Sequence, residues 1–111
     1  MEYINISVAN QFSKTPGPRL IKEGEFSGEL FFNTILDQAF SEALQSGKKI
    51  KVDLDGTAGY GTSFLEQTFG GLARKYSAKK VLELIEIKSD EEDYLKKDIN
   101  EYINAENDVQ I

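Results

Sequence analysis

The chain contains no cysteine and no histidine. Without cysteine there is no disulfide framework and no thiol chemistry. Without histidine there is no Ser-His-Asp catalysis, no histidine phosphorylation and no metal site that needs imidazole. Only carboxylates remain as metal ligands, a set that would suit Mg²⁺ or Ca²⁺. No stretch approaches the roughly 20 apolar residues that span a bilayer. Residues Met1 to Asn10 lack the basic segment and apolar run of a signal peptide. Basic residues are also in deficit: 13 Lys and Arg face 19 Asp and Glu, a net charge of −6. That balance disfavours general nucleic-acid binding through phosphate neutralisation. A cytoplasmic protein with no membrane contact, no nucleic-acid partner, no cofactor and no metal is the expectation.

What is present reads as one ordinary globular domain over residues 1–111, with 40% hydrophobic and 29% charged residues. Ile4, Ile6 and Val8 alternate with Tyr3, Asn5 and Ser7, the pattern of a half-buried strand. Thr15 to Arg19, with two prolines and a glycine, is a turn or loop. Leu20 to Lys22 reads as a short second strand, antiparallel to the first. Ser27 then caps a helix that runs to about Ser46, with Glu29 in its first turn and Gly47 beyond its end. Phe32, Leu36, Ala39, Phe40, Ala43 and Leu44 form its apolar stripe.

Ile50, Val52 and Leu54 alternate with Lys51, Asp53 and Asp55, so this strand too is half-buried. Strands of a doubly wound sheet read as continuous apolar runs instead. The alternation therefore predicts helices on one face of the sheet and water or a partner on the other. A second helix begins at Ser63, which pairs with Glu66 as a capping box and carries Leu65, Phe69, Leu72, Ala73 and Tyr76 on its apolar side. Gly70 and Gly71 inside it cost about 1 kcal/mol each relative to alanine, and a close approach by another backbone would offset that. Val81 to Ile87 reads as a strand. Ser89 and Glu92 form a capping box for a last helix, whose Leu95, Ile99, Tyr102 and Ile103 face the core. Glu92–Lys96 and Asp93–Lys97 are i, i+4 pairs along it. Ala105 to Ile111 is a frayed tail or, through Val109 and Ile111, a short edge strand. The order is β-β-α-β-α-β-α, with a right-handed crossover from the second strand to the third. If those two strands are parallel, Ser27, Gly28 and Glu29 lie near Gly59 to Ser63.

The most distinctive stretch is Gly56-Thr57-Ala58-Gly59-Tyr60-Gly61-Thr62-Ser63, between a strand and a helix. Such a turn exposes backbone N–H groups and hydroxyls at a helix N-terminus, a place for an anion or for phosphorylation. It nearly matches a P-loop, but Thr62 stands where the phosphate-reaching lysine belongs. It also misses the dinucleotide fingerprint, because Phe64 replaces the third glycine. A tight connection plus helix cap accounts for the same residues. Asp53 and Asp55 are a candidate metal pair or phospho-acceptor, or simply part of an exposed polar face. Asp90 to Asp93 is the acidic first turn of a helix. Arg74 is a candidate contact for an anion or a partner's carboxylate, with a surface arginine as the default.

Val52 to Thr57, Gly59 to Gly61, Ser63 to Glu66 and Phe69 to Arg74, with Gly17-Pro18-Arg19, Ser27-Gly28-Glu29 and Phe31, resemble the STAS-like domain family of unassigned function. The resemblance covers about residues 16–76. That family is distantly similar to the STAS domains of anti-sigma factor antagonists. The resemblance implies an α/β fold with a mixed four- or five-stranded sheet and helices mainly on one face. It implies a non-enzymatic regulatory module that docks an ATPase or kinase of histidine-kinase-like fold and is switched by phosphorylation at Ser63 or Thr62. The family's Asp-Ser pair is absent, with Gly61 in place of the aspartate. The docking surface it implies takes in Gly59, Tyr60, Gly61, Phe64, Gly70, Gly71, Arg74, Ser27, Gly28 and Glu29. Two other readings stay open: a small nucleotide- or phosphate-binding domain using Gly56 to Ser63, and a structural subunit that forms a homodimer through its open sheet face.

Overall fold

A computed structural model describes residues 2–109 of the chain, with side chains described for 2–106. It contains β1 (Tyr3–Ser7), α1 (Val8–Gln11), a 3₁₀ turn (Ile21–Glu23), α2 (28–46), β2 (Lys49–Asp53), α3 (62–76), α4 (Ala78–Leu84), β3 (Ile85–Lys88) and α5 (Tyr94–Val109).

The three strands are all parallel, in the order β1-β2-β3. The register aligns Ile4, Ile50 and Ile85 in one row and Ile6, Val52 and Ile87 in the next. Asn5, Lys51 and Glu86 form a row on the opposite face, as do Ser7, Asp53 and Lys88. Both crossovers step the same way across the sheet, so one hand places both helical connections on one face. The alternation along each strand follows from this: isoleucine and valine point to the helices, charged side chains to water.

Among the described residues the sheet is thus parallel and three-stranded, not mixed with four or five strands. The expected strand at Leu20 to Lys22 is instead the 3₁₀ turn. Its donors are consumed locally: Leu20 N–H donates to Glu23 Oε1 at 2.9 Å, Glu23 N–H to Leu20 O at 2.9 Å and Ile21 N–H to Glu29 Oε1 at 2.8 Å. These three are not available to a ladder. The first crossover therefore joins β1 to β2 through α2.

The strand expected from Val81 to Ile87 begins only at Ile85, because 78–84 is helical. Ser77 caps that helix by accepting from Lys80 N–H at 3.3 Å, and Ala78 and Val81 sit on its buried side three residues apart. Val81-Leu82-Glu83-Leu84 fits either period, and the cap with Ala78 settles it.

α2 keeps its expected ends. Ser27 Oγ accepts from Leu30 N–H at 3.0 Å, and Gly47 closes the helix at φ 70°. Its stripe shifts, however. Residues 32–36 form one wide π-helical turn, which adds a residue to the period. Phe31 rather than Phe32 then joins Leu36, Phe40 and Ala43 in the fully buried row, and Leu44 is left 41% exposed. α3 carries a second wide turn at 66–70 and buries Phe64, Leu65, Phe69, Leu72 and Ala73. Tyr76 packs on Phe40 with ring centres 4.6 Å apart.

α5 begins at Tyr94, not after Ser89, and buries Leu95, Ile99 and Ile103 as expected. Glu92 and Asp93 precede the helix, and neither forms its expected ion pair among the described residues. The helix continues through Val109, so the residues from Ala105 on are neither frayed coil nor strand up to that point; Ile111 lies outside the described residues.

Candidate functional site

The glycine-rich turn leaves β2 and enters α3. Gly56 at φ 89° and Gly59 at φ 130° occupy backbone conformations that side chains resist. Tyr60 folds back over the turn: its hydroxyl donates to Leu54 O at 2.8 Å and its ring sits 5.7 Å from Phe64. Burial pushes the Tyr60 phenol up to about 12.

Three of the amides that a phosphate would need are already bonded within the protein. Gly56 N–H donates to Glu91 Oε1 at 2.8 Å, Ala58 N–H to Lys14 O at 2.8 Å and Gly59 N–H to Thr57 Oγ1 at 3.3 Å. One of those acceptors is itself a carboxylate, which occupies the turn as an internal anion.

Asp55 ties this turn to the segment before α5. Its carboxylate accepts from Asp90 N–H at 3.0 Å, Glu91 N–H at 3.0 Å and Lys88 Nζ at 2.8 Å. These bonds, Lys88 first, hold Asp55 at about 2 and push Lys88 upward. The acidic run is therefore a turn clamped by Asp55, not a helix start. The expected capping box also fails, since Ser89 is buried and its Oγ donates to Glu92 O at 2.8 Å. Asp53 Oδ1 accepts from Asp55 N–H at 2.9 Å. Among the described residues no cluster of three or more acidic groups is placed to hold a metal.

A carboxyl with a folded pKa below its free value of 3.8 stabilises fully above that value. The contribution disappears as pH falls toward about 2. Asp55→Asn should therefore lower the melting temperature at pH 7, and the gap to wild type should close between about pH 4 and 2. Thermal melts across that range test this; a gap of the same size at both ends would refute the clamp.

The cap of α3 lies two residues earlier than expected. Gly61, in extended conformation at φ −78° and ψ 153°, takes the cap position without a side-chain bond. Thr62 and Ser63 are the first two helical residues, and both are exposed. Ser63 therefore does not cap the helix, and its box with Glu66 does not form. Arg19 and Arg74 draw the Glu66 carboxylate away instead, Arg74 Nη1 lying 2.6 Å from it. Burial opposes ionisation of Glu66, but the bonds from Arg74 and Arg19 outweigh it and hold the carboxyl below its usual range. Arg74 also reaches Glu106 at 3.1 Å.

Arg19, unmarked by sequence chemistry alone, arrives on a loop stitched to the start of α2. Gly28 N–H donates to Pro18 O at 2.9 Å and Glu29 N–H to Arg19 O at 2.9 Å. Its signal was a single cation beside two prolines.

The proposed docking residues divide sharply. Gly61, Thr62 and Ser63 are exposed, and Gly59, Tyr60, Gly71 and Glu29 are half-buried. Arg74 is exposed but ion-paired. Phe64 is 1% exposed, enclosed by Phe12, Phe31 and Tyr60, and Ser27, Gly28 and Gly70 are also buried. These four are scaffold rather than surface. The close backbone approach expected at Gly70-Gly71 occurs at Gly28: a Cβ there would lie 2.8 Å from Phe64 O. At Gly70 a Cβ would meet the Glu66 carboxylate at 2.5 Å, a side chain rather than a backbone. Gly28 thus rests on Phe64, the residue after Ser63, and the two helix starts do come together.

No helix among the described residues is long and apolar enough to cross a membrane. No curated protein and no solved structure matches the chain. A family model described as a STAS-like domain of unknown function matches residues 27–95. The matched span runs from the Ser27 cap through the glycine-rich turn to the first turn of α5, so this chain belongs to the STAS-like domain family of unknown function.

Proposed function

We propose that this chain is a non-enzymatic regulatory module that docks a protein partner through the surface around Gly61, Thr62 and Ser63. The observation that carries this reading is the pair of exposed hydroxyls at the start of α3, directly followed by buried Phe64 and Leu65. A modification there sits on a rigid element and needs no unfolding to be reached. A phosphate adds about −1.5 to −2 charge. The N-terminus of α3 favours that charge, while an acidic or apolar partner surface rejects it. By similarity to anti-sigma factor antagonists, the partner is an ATPase or kinase of histidine-kinase-like fold, met in the cytoplasm.

The internal commitment of Gly56, Ala58 and Gly59 amides weighs against a nucleotide or phosphate cradle in the same turn. A pull-down from native cell extract with wild type, Ser63→Ala and Ser63→Glu, read by mass spectrometry, tests the reading. An ATPase or kinase retained by wild type and Ser63→Ala but lost with Ser63→Glu supports the switch. Identical partners for all three reduce Ser63 to a surface residue. Absence of any partner refutes docking.

A further inference from the structure

Among the described residues β3 is an edge strand, bonded to another strand on one side only. Lys88 O accepts from Leu54 N–H at 2.8 Å, so the main-chain groups of Lys88, and of Glu86 two residues earlier, face β2. The main-chain groups of Ile85 and Ile87 therefore point away from β2; Ile85 N–H closes α4 by donating to Val81 O, which leaves Ile85 C=O and the N–H and C=O of Ile87 along the edge. Both residues also line a groove of about 360 Å³ that runs between β3, α4 and α5. Its walls include Val81 and Ile103, and Leu82 lies at its margin with 39% of its surface exposed.

The electrostatics of the groove invert those of the chain. Among the described residues that line it, Lys96 is the one ionisable group, in a protein with six more acids than bases (19 against 13). No ion pair of the described residues uses Lys96. Asn100 lies one helical turn further along α5, on the same face, and also lines the groove.

A strand edge with an open N–H and two open carbonyls, an apolar groove beside it and an unpartnered cation at that groove fit one kind of occupant. We propose that β3 and this groove bind an extended peptide segment of a partner protein, with an apolar side chain and a neighbouring carboxylate. The segment adds as a fourth strand, donating to Ile85 O and Ile87 O and accepting from Ile87 N–H. Its apolar side chain enters between Val81, Leu82 and Ile103, and its carboxylate meets Lys96 and Asn100. A saturated acyl chain would fill the apolar space but leave Ile87 N–H and the two edge carbonyls unpaired, and the edge is what favours a peptide. This site is independent of the surface at Thr62 and Ser63.

Panning a random dodecapeptide phage library on the full chain tests this, followed by synthesis of the selected peptide. Expected are sequences that place a carboxylate beside an apolar residue. Lys96→Glu, at an exposed position, should weaken binding about tenfold or more. Leu82→Glu should weaken it independently, with unchanged circular dichroism for both. In amide hydrogen exchange, Ile87 should gain protection on binding, while Ile85, already bonded to Val81 O, serves as the internal reference. Enrichment equal on wild type and on the double variant overturns the proposal. So does a selected peptide that leaves the Ile87 amide exchanging freely. Sodium dodecanoate is the second probe: saturable shifts of groove methyls with no peptide selected would reassign the groove to an amphiphile and overturn strand addition.

Discussion

Replacing Phe64 by alanine is expected to cost about 3–5 kcal/mol, the range for removing a buried phenyl ring from a packed core. The ring sits among Phe12 at 6.3 Å, Phe31 at 6.0 Å and Tyr60 at 5.7 Å, so its loss opens a space lined by three other rings. Those rings come from the end of α1, from α2 and from the glycine-rich turn. They cannot collapse into the void without moving the elements that hold them. Total stability of a domain this size is on the order of 5–15 kcal/mol, so the variant should retain only a fraction of it. Ser63→Ala, one residue earlier and exposed, should change stability by less than about 0.5 kcal/mol. Urea titration of both variants makes the comparison. A loss below about 1 kcal/mol for Phe64→Ala would mean that this cluster is not the keystone of the two helix starts.

The second large effect is expected at Gly28. A Cβ there would stand 2.8 Å from Phe64 O and 3.3 Å from Phe64 Cα, both backbone atoms that cannot rotate aside. Valine adds two methyl groups to that conflict. Gly28→Val should therefore push α2 from α3 and cost about 1–3 kcal/mol or more by overpacking. Gly71 is the control. A Cβ there meets the Phe32 ring at 3.8 Å, ordinary contact. Gly71→Ala should stabilise the helix by about 0.5–1 kcal/mol through lost backbone entropy. Thermal denaturation of the pair gives opposite signs if the packing is as described; destabilisation at both sites would contradict it.

Residues whose signals are local were legible in the sequence. Ser27 and Gly47 bound α2 because a cap and a left-handed closing residue act within one helical turn. The alternation in β1 and β2 was legible because a half-buried strand repeats every two residues, whatever packs against it. From that alternation followed the one-sided sheet.

Where two local patterns competed, the sequence was not enough. Val81 to Leu84 suits either period, and burial of Ala78 and Val81 against the core chose the helix. Ser63 followed by Glu66 has the form of a capping box, yet Arg19, 47 residues away in the chain, takes the carboxylate. The apolar stripe of α2 was read correctly at Leu36, Phe40 and Ala43 but not at Leu44, which is exposed, and it took Phe32 for Phe31, because a π-helical turn adds a residue that no periodicity announces.

The sequence by itself determined the α/β class, the exposed hydroxyls at Thr62 and Ser63, and the absence of imidazole and thiol chemistry. These depend on composition and on neighbours a few residues apart. Only the tertiary structure decided that the glycine-rich turn is filled from within. Glu91 reaches Gly56 across 35 residues, and Asp55 reaches Asp90 across the same separation. A carboxylate and an amide that far apart meet only because β2 and β3 lie side by side, and pairing of parallel strands is written in no local pattern.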